Sequence, residues 1–194
     1  NPHPNSFCAS MDTHEICNGF DLLLTDIGKK YIVTIGSEKG EKFIDKYIEY
    51  TEEATAIDML FLDNTTSETK KKYELAMPFG KNDLPKFLED KYDSPLWTEL
   101  AKKCFSCGKC NLVCPTCVCF NIEDKAELNL QEGIREREWH ACALTEFAQV
   151  ALGHNFRGKT EQRLRHRIYR KLSYIVTRYG IYGCIGCGRC INSC

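Results

Sequence analysis

Apolar residues recur along this chain in two periods. Short runs at 20–24 (Phe-Asp-Leu-Leu-Leu) and 31–35 (Tyr-Ile-Val-Thr-Ile) flank Asp26-Ile27-Gly28, which predicts two strands around a turn. The Leu run fits a helix as well as a strand. From Glu38 to about Leu62 the period changes: Phe43, Tyr47, Tyr50, Ala54 and Ile57 fall three or four residues apart, the spacing of one helix face. Residues 63–82 are polar and lysine-rich, an exposed helix or a linker, and a short helix is predicted over 83–90. Ser94-Pro95 is a helix start, with Ser as N-cap and Pro at the first helical position. That helix is expected to run through Trp97, Leu100 and Ala101 into Cys104. Residues 1–18 read as loop.

The second half reads as mostly helical. Residues 139–152 have high helix propensity, and Gly153 suits the end of a helix there. Residues 160–179 predict a second long helix closed by Gly180. Its apolar stripe is Leu164, Ile168, Leu172 and Ile175, with the arginines expected on the other faces.

Cysteine spacing brings in the chemistry. Cys104, Cys107, Cys110 and Cys114 are followed by Pro115, giving C-x-x-C-x-x-C-x-x-x-C-P, the run that ligates [4Fe–4S] clusters in bacterial-type ferredoxins. Three thiolates two residues apart wrap one face of a cube, and Gly108 lets the backbone approach it. Cys184, Cys187, Cys190 and Cys194 repeat the spacing. In two-cluster ferredoxins the fourth cysteine of each run ligates the other cluster. The expected sets are therefore Cys104, Cys107, Cys110 and Cys194 for one cluster, and Cys184, Cys187, Cys190 and Cys114 for the other. Paired C-x-x-C also reads as structural zinc, but zinc has no use for the third cysteine of each run or for the Cys-Pro ending. A disulfide framework suits such runs less well.

Composition and charge narrow the setting. The 194 residues can bury a core without disulfide staples, although 13 are cysteines. The first residues form no secretory leader and no stretch is long enough for a membrane span, so a reducing, cytoplasmic, oxygen-poor setting is expected. Net charge is near zero but uneven: 1–100 hold 11 Lys+Arg against 19 Asp+Glu, and 101–194 hold 15 against 8. Residues 157–178 alone hold eight Lys/Arg and one Glu. The basic stripe of Arg163, Arg165, His166, Arg167, Arg170 and Lys171 has no aromatic stacking platform or nucleic-acid motif beside it. A redox-partner surface or a solvated helix face fits it better than nucleic acid. No Gly-rich phosphate cradle and no Ser–His–Asp or paired-carboxylate constellation is present.

Five cysteines remain. Cys8, Cys117, Cys119 and Cys142 are the four thiolates a third cluster would need; alternatively they are small buried core residues. Cys17 is the bystander. Cys110, Cys114 and Cys117 also match the spacing of radical S-adenosylmethionine enzymes, but that match is embedded in the ferredoxin run and the chain is short for the barrel. His154-Asn155-Phe156-Arg157 either presents a cation to a cluster or partner or joins two helices.

The chain resembles the four-iron dicluster subunits typified by the beta subunit of cytosolic sulfhydrogenases and by their counterpart in anaerobic sulfite reductase. The matching stretches are Leu22-Leu23-Leu24-Thr25-Asp26, CFSCGKCNLVCPTCVCF from Cys104 to Phe120, Gly153 to Arg157, Arg165-His166-Arg167, and Cys184 to Cys194. Members are longer, so the chain resembles a C-terminal portion, and many carry a further cysteine near Ser6. The resemblance implies electron transfer linking a flavin-containing NAD(P)H-type reductase subunit with a catalytic hydrogenase or sulfite reductase subunit. Rival readings are a sulfur-substrate reductase with a cluster as its active site, and a nucleic-acid-binding iron–sulfur protein. The expected fold class is α+β: a small mixed region over 1–92, part of a larger domain, then a mainly helical, α-helical ferredoxin-like domain over 93–194.

Overall fold

The computed structural model describes residues 2–129 and 131–194. β1 (Leu22–Asp26) and β2 (Tyr31–Ile35) pair antiparallel with Leu24 opposite Val33. The turn closes where the Gly28 N–H donates to the Asp26 carboxylate at 2.8 Å, and Gly28 takes a φ of 109° that a side chain would resist. The predicted hairpin is present, its first strand beginning at Leu22. Leu24, Tyr31, Val33 and Ile35 are left exposed.

The single helix predicted from 38 to about 62 is two helices. α1 (Glu38–Lys46) starts where Ser37 accepts from the Gly40 N–H. The chain then passes through a short 3-10 turn, Ile48–Tyr50, into extended backbone. α2 (Ala56–Lys71) begins at a reciprocal cap, in which the Thr55 hydroxyl accepts from the Asp58 N–H and the Asp58 carboxylate from the Thr55 N–H. That cap is a start signal, and it overrides the apolar period running through it.

α3 (Leu84–Glu89) and α4 (Leu96–Ala101) lie close to their predicted positions. The Leu96 N–H donates to the Ser94 hydroxyl, but α4 stops before Cys104. These two helices supply Leu88 and Trp97, which pack on Tyr169 to form a buried core flanked by Ile168 and Leu172. Polar atoms inside it are satisfied: the Trp97 indole N–H donates to the Lys91 carbonyl at 2.8 Å, and the Tyr169 hydroxyl donates to the Leu88 carbonyl.

α5 (Lys109–Leu112) follows in the first cysteine loop. The next segment corrects the helical expectation. β3 (Phe120–Ala126) and β4 (Gly133–Trp139) form an antiparallel hairpin, with Arg135 on Asp124 and Lys125 on Glu136 across the strands. Trp139 thus ends a strand, and 139–152 is not a helix: it continues as turns with a 3-10 turn at Glu146–Ala148. Tertiary placement overrides propensity here, because Ala141, Cys142 and Ala143 are buried against the first cysteine loop.

α6 (Thr160–Tyr169), a wider π-type turn at Arg170–Tyr174 and α7 (Ile175–Tyr179) form the long helix predicted over 160–179. Gly180 closes it at a φ of 69°. α8 (Arg189–Asn192) lies in the second cysteine loop. The whole is a mixed α+β structure. Among the described residues no helix is long and apolar enough to cross a membrane.

Candidate cluster-binding site

The two cysteine runs fold into matching loops. Each turns through two left-handed residues, Ser106 and Gly108 in the first, Gly186 and Gly188 in the second, at φ values of 54–73°. The repeated backbone aims equivalent amides at equivalent sulfurs. The Ser106 N–H donates to Cys104 Sγ and the Gly186 N–H to Cys184 Sγ, both at 3.4 Å. Such N–H donors favour a thiolate over a thiol. Each loop ends in a short helix, and α5 packs against α8, so the two loops lie side by side.

Each loop is also roofed by a distant segment. A side chain on Gly108 would meet Ala141, and one on Gly188 would meet the Asn5 carbonyl. Asn5 to Cys8 thus lie over the second loop, tied by Phe7 N–H to the Gly186 carbonyl at 2.7 Å and by the buried Ser6 hydroxyl to the same carbonyl.

The sulfurs group across the loops. Burial raises the Cys110 pKa, and the negative charges of Cys190, Cys104 and Cys194 add to the rise. Burial likewise raises Cys184, where Cys190 and Cys114 act in the same sense. Cysteines of the second run, Cys190 and Cys194, thus lie within the field of Cys110 in the first, and Cys114 lies within that of Cys184. Cys107 and Cys194 are exposed, and the other six run cysteines are partly buried.

The five remaining cysteines divide. Cys119 and Cys142 are buried, and the neighbouring Cys142 thiol lowers the Cys119 pKa against desolvation. The Cys117 thiol likewise lowers the Cys114 pKa against desolvation. Buried Asn111 ties the group together, its amide N–H groups reaching Cys142 Sγ at 3.2 Å and Cys117 Sγ at 3.7 Å. Cys117, Cys119 and Cys142 are therefore brought together. Cys8, the fourth thiol of the third set, accepts instead from the Ser6 hydroxyl at 3.2 Å beside the second loop. Cys17 is exposed.

The basic stripe is where sequence reasoning went furthest astray. Arg163, Arg167 and Lys171 are buried at 4%, 8% and 6% exposure, on one face of α6 and the π-type turn, facing the cysteine loops. Arg163 donates to the carbonyls of Ala143, Arg157 and Gly158 and to the Ser106 hydroxyl in the first loop. Arg167 donates to the Cys110 carbonyl at 3.0 Å. Burial opposes its charge, but Cys110 and Cys190 outweigh burial and raise its pKa. The Lys171 ammonium donates to Thr116 Oγ1 at 2.8 Å and to Cys117 Sγ at 3.6 Å. None of the three has a carboxylate partner among the described residues. Their spacing of four residues was the available signal, but arginine and lysine are seldom buried unless paired.

This donor set fits two [4Fe–4S] clusters. Burying an unpaired cation costs several kcal/mol, and a cube with four thiolates supplies the missing negative charge. The Arg167 Nε is buried without a partner, on a side chain whose terminal nitrogen bonds the Cys110 carbonyl. Among the described residues no three Cys, His, Asp or Glu side chains converge tightly enough for a single ion.

Comparison with known proteins agrees with this geometry. Residues 103–194 match the family described as the 4Fe-4S dicluster domain. Along 193 residues the chain is 32% identical to sulfhydrogenase 2 subunit beta of Pyrococcus furiosus, covering all of this chain and 56% of that protein. The chain thus spans little more than half the length of the curated relative it matches. No solved structure matches it.

Proposed function

We propose that this chain, whose residues 103–194 match the 4Fe-4S dicluster domain family, is an iron–sulfur electron relay linking a flavin-containing NAD(P)H-type reductase subunit with a catalytic hydrogenase or sulfite reductase subunit. Two [4Fe–4S] clusters supply one-electron carriers whose potential depends on charge, hydrogen bonds and exposure. Cys104, Cys107, Cys110 and Cys194 would hold one, and Cys184, Cys187, Cys190 and Cys114 the other. The observation that carries the reading is the row of three buried cations shared by the two loops. Arg163 touches the first loop and Lys171 the segment between Cys114 and Cys117, while Arg167 bonds the first loop and lies within the field of Cys190 in the second. One helix face therefore sets positive charge beside both cysteine runs, where it offsets added negative charge.

The relative's name makes it part of a sulfhydrogenase, which supports a hydrogenase as the catalytic partner. The rival reading, reduction of a sulfur compound at this chain itself, needs a ligand position open to substrate. Four cysteines are available for each cluster, which favours the conduit. The test is anaerobic purification with EPR of the reduced protein, with and without sulfite. The conduit predicts two interacting [4Fe–4S] signals that sulfite leaves unchanged, and no turnover by this chain alone. A sulfite-dependent change in either signal, or turnover, overturns it.

A further inference from the structure

Between α6 and the segments around Tyr92 and Phe156 lies a cavity of about 290 Å³ that no cysteine lines. It sits at the lower end of the size range for small-ligand sites, roughly 300 Å³ and above. Its lining is rich in donors and contains no carboxylate.

Arg165 is fixed in place. Its guanidinium donates to the Tyr92 carbonyl at 2.9 Å and stacks 4.0 Å above the Tyr92 ring, with Asp93 at 3.9 Å. Arg157 is fixed through its backbone, whose carbonyl accepts from Arg163 and whose N–H donates to Asn155. Its own Nε is buried with no partner. Gln162 accepts with Oε1 from the Lys159 N–H, which leaves its amide donors for the cavity. His166 completes the floor, and the partly exposed rings of Tyr92, Phe156 and Tyr174 form the rim.

We propose that this cavity is a binding site for a tetrahedral oxyanion, either free or carried on a small organic molecule. Guanidinium groups recognise such anions by paired, charge-assisted hydrogen bonds. The charged groups at the site are Arg157, Arg165 and, from the next turn of the helix, Arg170, with Asp93 3.9 Å from Arg165. His166 reports on the site. Burial, then Arg157 and Arg170, hold its pKa down to about 4. An anion bound there would offset that repulsion, raise the imidazole pKa and bind more tightly as the pH falls. This inference is independent of the electron-transfer reading.

The test uses the cluster-loaded full chain with labelled histidine, titrated by NMR with inorganic phosphate and separately with phenyl phosphate, against chloride at equal ionic strength. The expected result is a saturable shift of one imidazole, absent from H166Q and at least tenfold weaker in R157Q, but retained in R178Q, which alters an exposed arginine outside the cavity. Tighter binding of phenyl phosphate assigns the aromatic rim to a carried group, and equal binding assigns the site to the free ion. Both sustain the proposal. If R157Q does not fold, the wild-type titration alone decides: a linear, non-saturating shift indistinguishable from that in chloride overturns it.

Discussion

The ammonium of Lys171 stands 3.6 Å from the sulfur of Cys117, and no carboxylate among the described residues answers it. It acts also on Cys114 and Cys184, two of the thiols assigned to one cluster. Removing this cation should favour the oxidised cluster, because reduction adds negative charge. K171M is expected to lower the potential of the cluster held by Cys184, Cys187, Cys190 and Cys114 by roughly 60 mV or more, a tenfold change in the one-electron equilibrium. The cluster of the first loop should move less. EPR-monitored redox titration reads both, and an unchanged or raised potential contradicts the assignment.

The crossed ligand sets predict a crossed phenotype. C114S should disturb the cluster held by the second loop, and C194S the one held by the first. The reduced-state EPR signal of each would report which centre has changed. Parallel iron analysis should find about eight iron atoms per chain, four for each cluster. About twelve would require a third cluster around Cys117, Cys119 and Cys142, which now stand together without Cys8.

Phe105 is 94% exposed and lies two residues from the exposed Cys107. A large apolar side chain beside a solvent-facing ligand is suited to a partner's surface. F105S should slow electron exchange with the reductase or catalytic subunit several-fold, measured by stopped flow. Both potentials should remain where they are in the wild type.

His166 sets a pH dependence of stability. Its pKa in the folded chain, about 4, lies below its ordinary value near 6.5. The unfolded chain therefore takes up the proton first. Its contribution is fully present above pH 6.5 and is lost as the pH falls from there toward 4. Denaturant titrations of wild type and H166Q should converge as the buffer is acidified through that window. A constant difference would mean that His166 titrates normally.

Sequence patterning revealed the chemistry more readily than the architecture around it. Spacing alone identified both cysteine loops, and Gly108, read as the point where the backbone approaches the cluster, also turns left-handed there. The β1–β2 turn was legible because Asp26 and Gly28 are turn residues for distinct physical reasons. The β3–β4 hairpin was not. Ile122 and Ile134 are its main aliphatic residues, and what joins its strands is the backbone ladder with cross-strand pairs such as Arg135 with Asp124, which a one-dimensional period cannot reveal. The Ala-rich 139–152 stretch misled because Cys142 is drawn to Cys119 and Asn111, contacts distant in sequence. Arg163, Arg167 and Lys171 read as solvent-facing, because that is where such residues usually lie. Carbonyls and hydroxyls around Arg163, and cysteines around Arg167 and Lys171, make an interior position reasonable for them.

That inward-facing row has a consequence for how the molecule is assembled. Without iron and sulfide, three positive charges would be pressed against one another's neighbourhood in a dry interior, and the helix bearing them would have reason to stay away from the loops. Cofactor insertion and closure of this half of the chain should therefore be a single event, with the inorganic cubes acting as the mortar of the fold as well as its wiring.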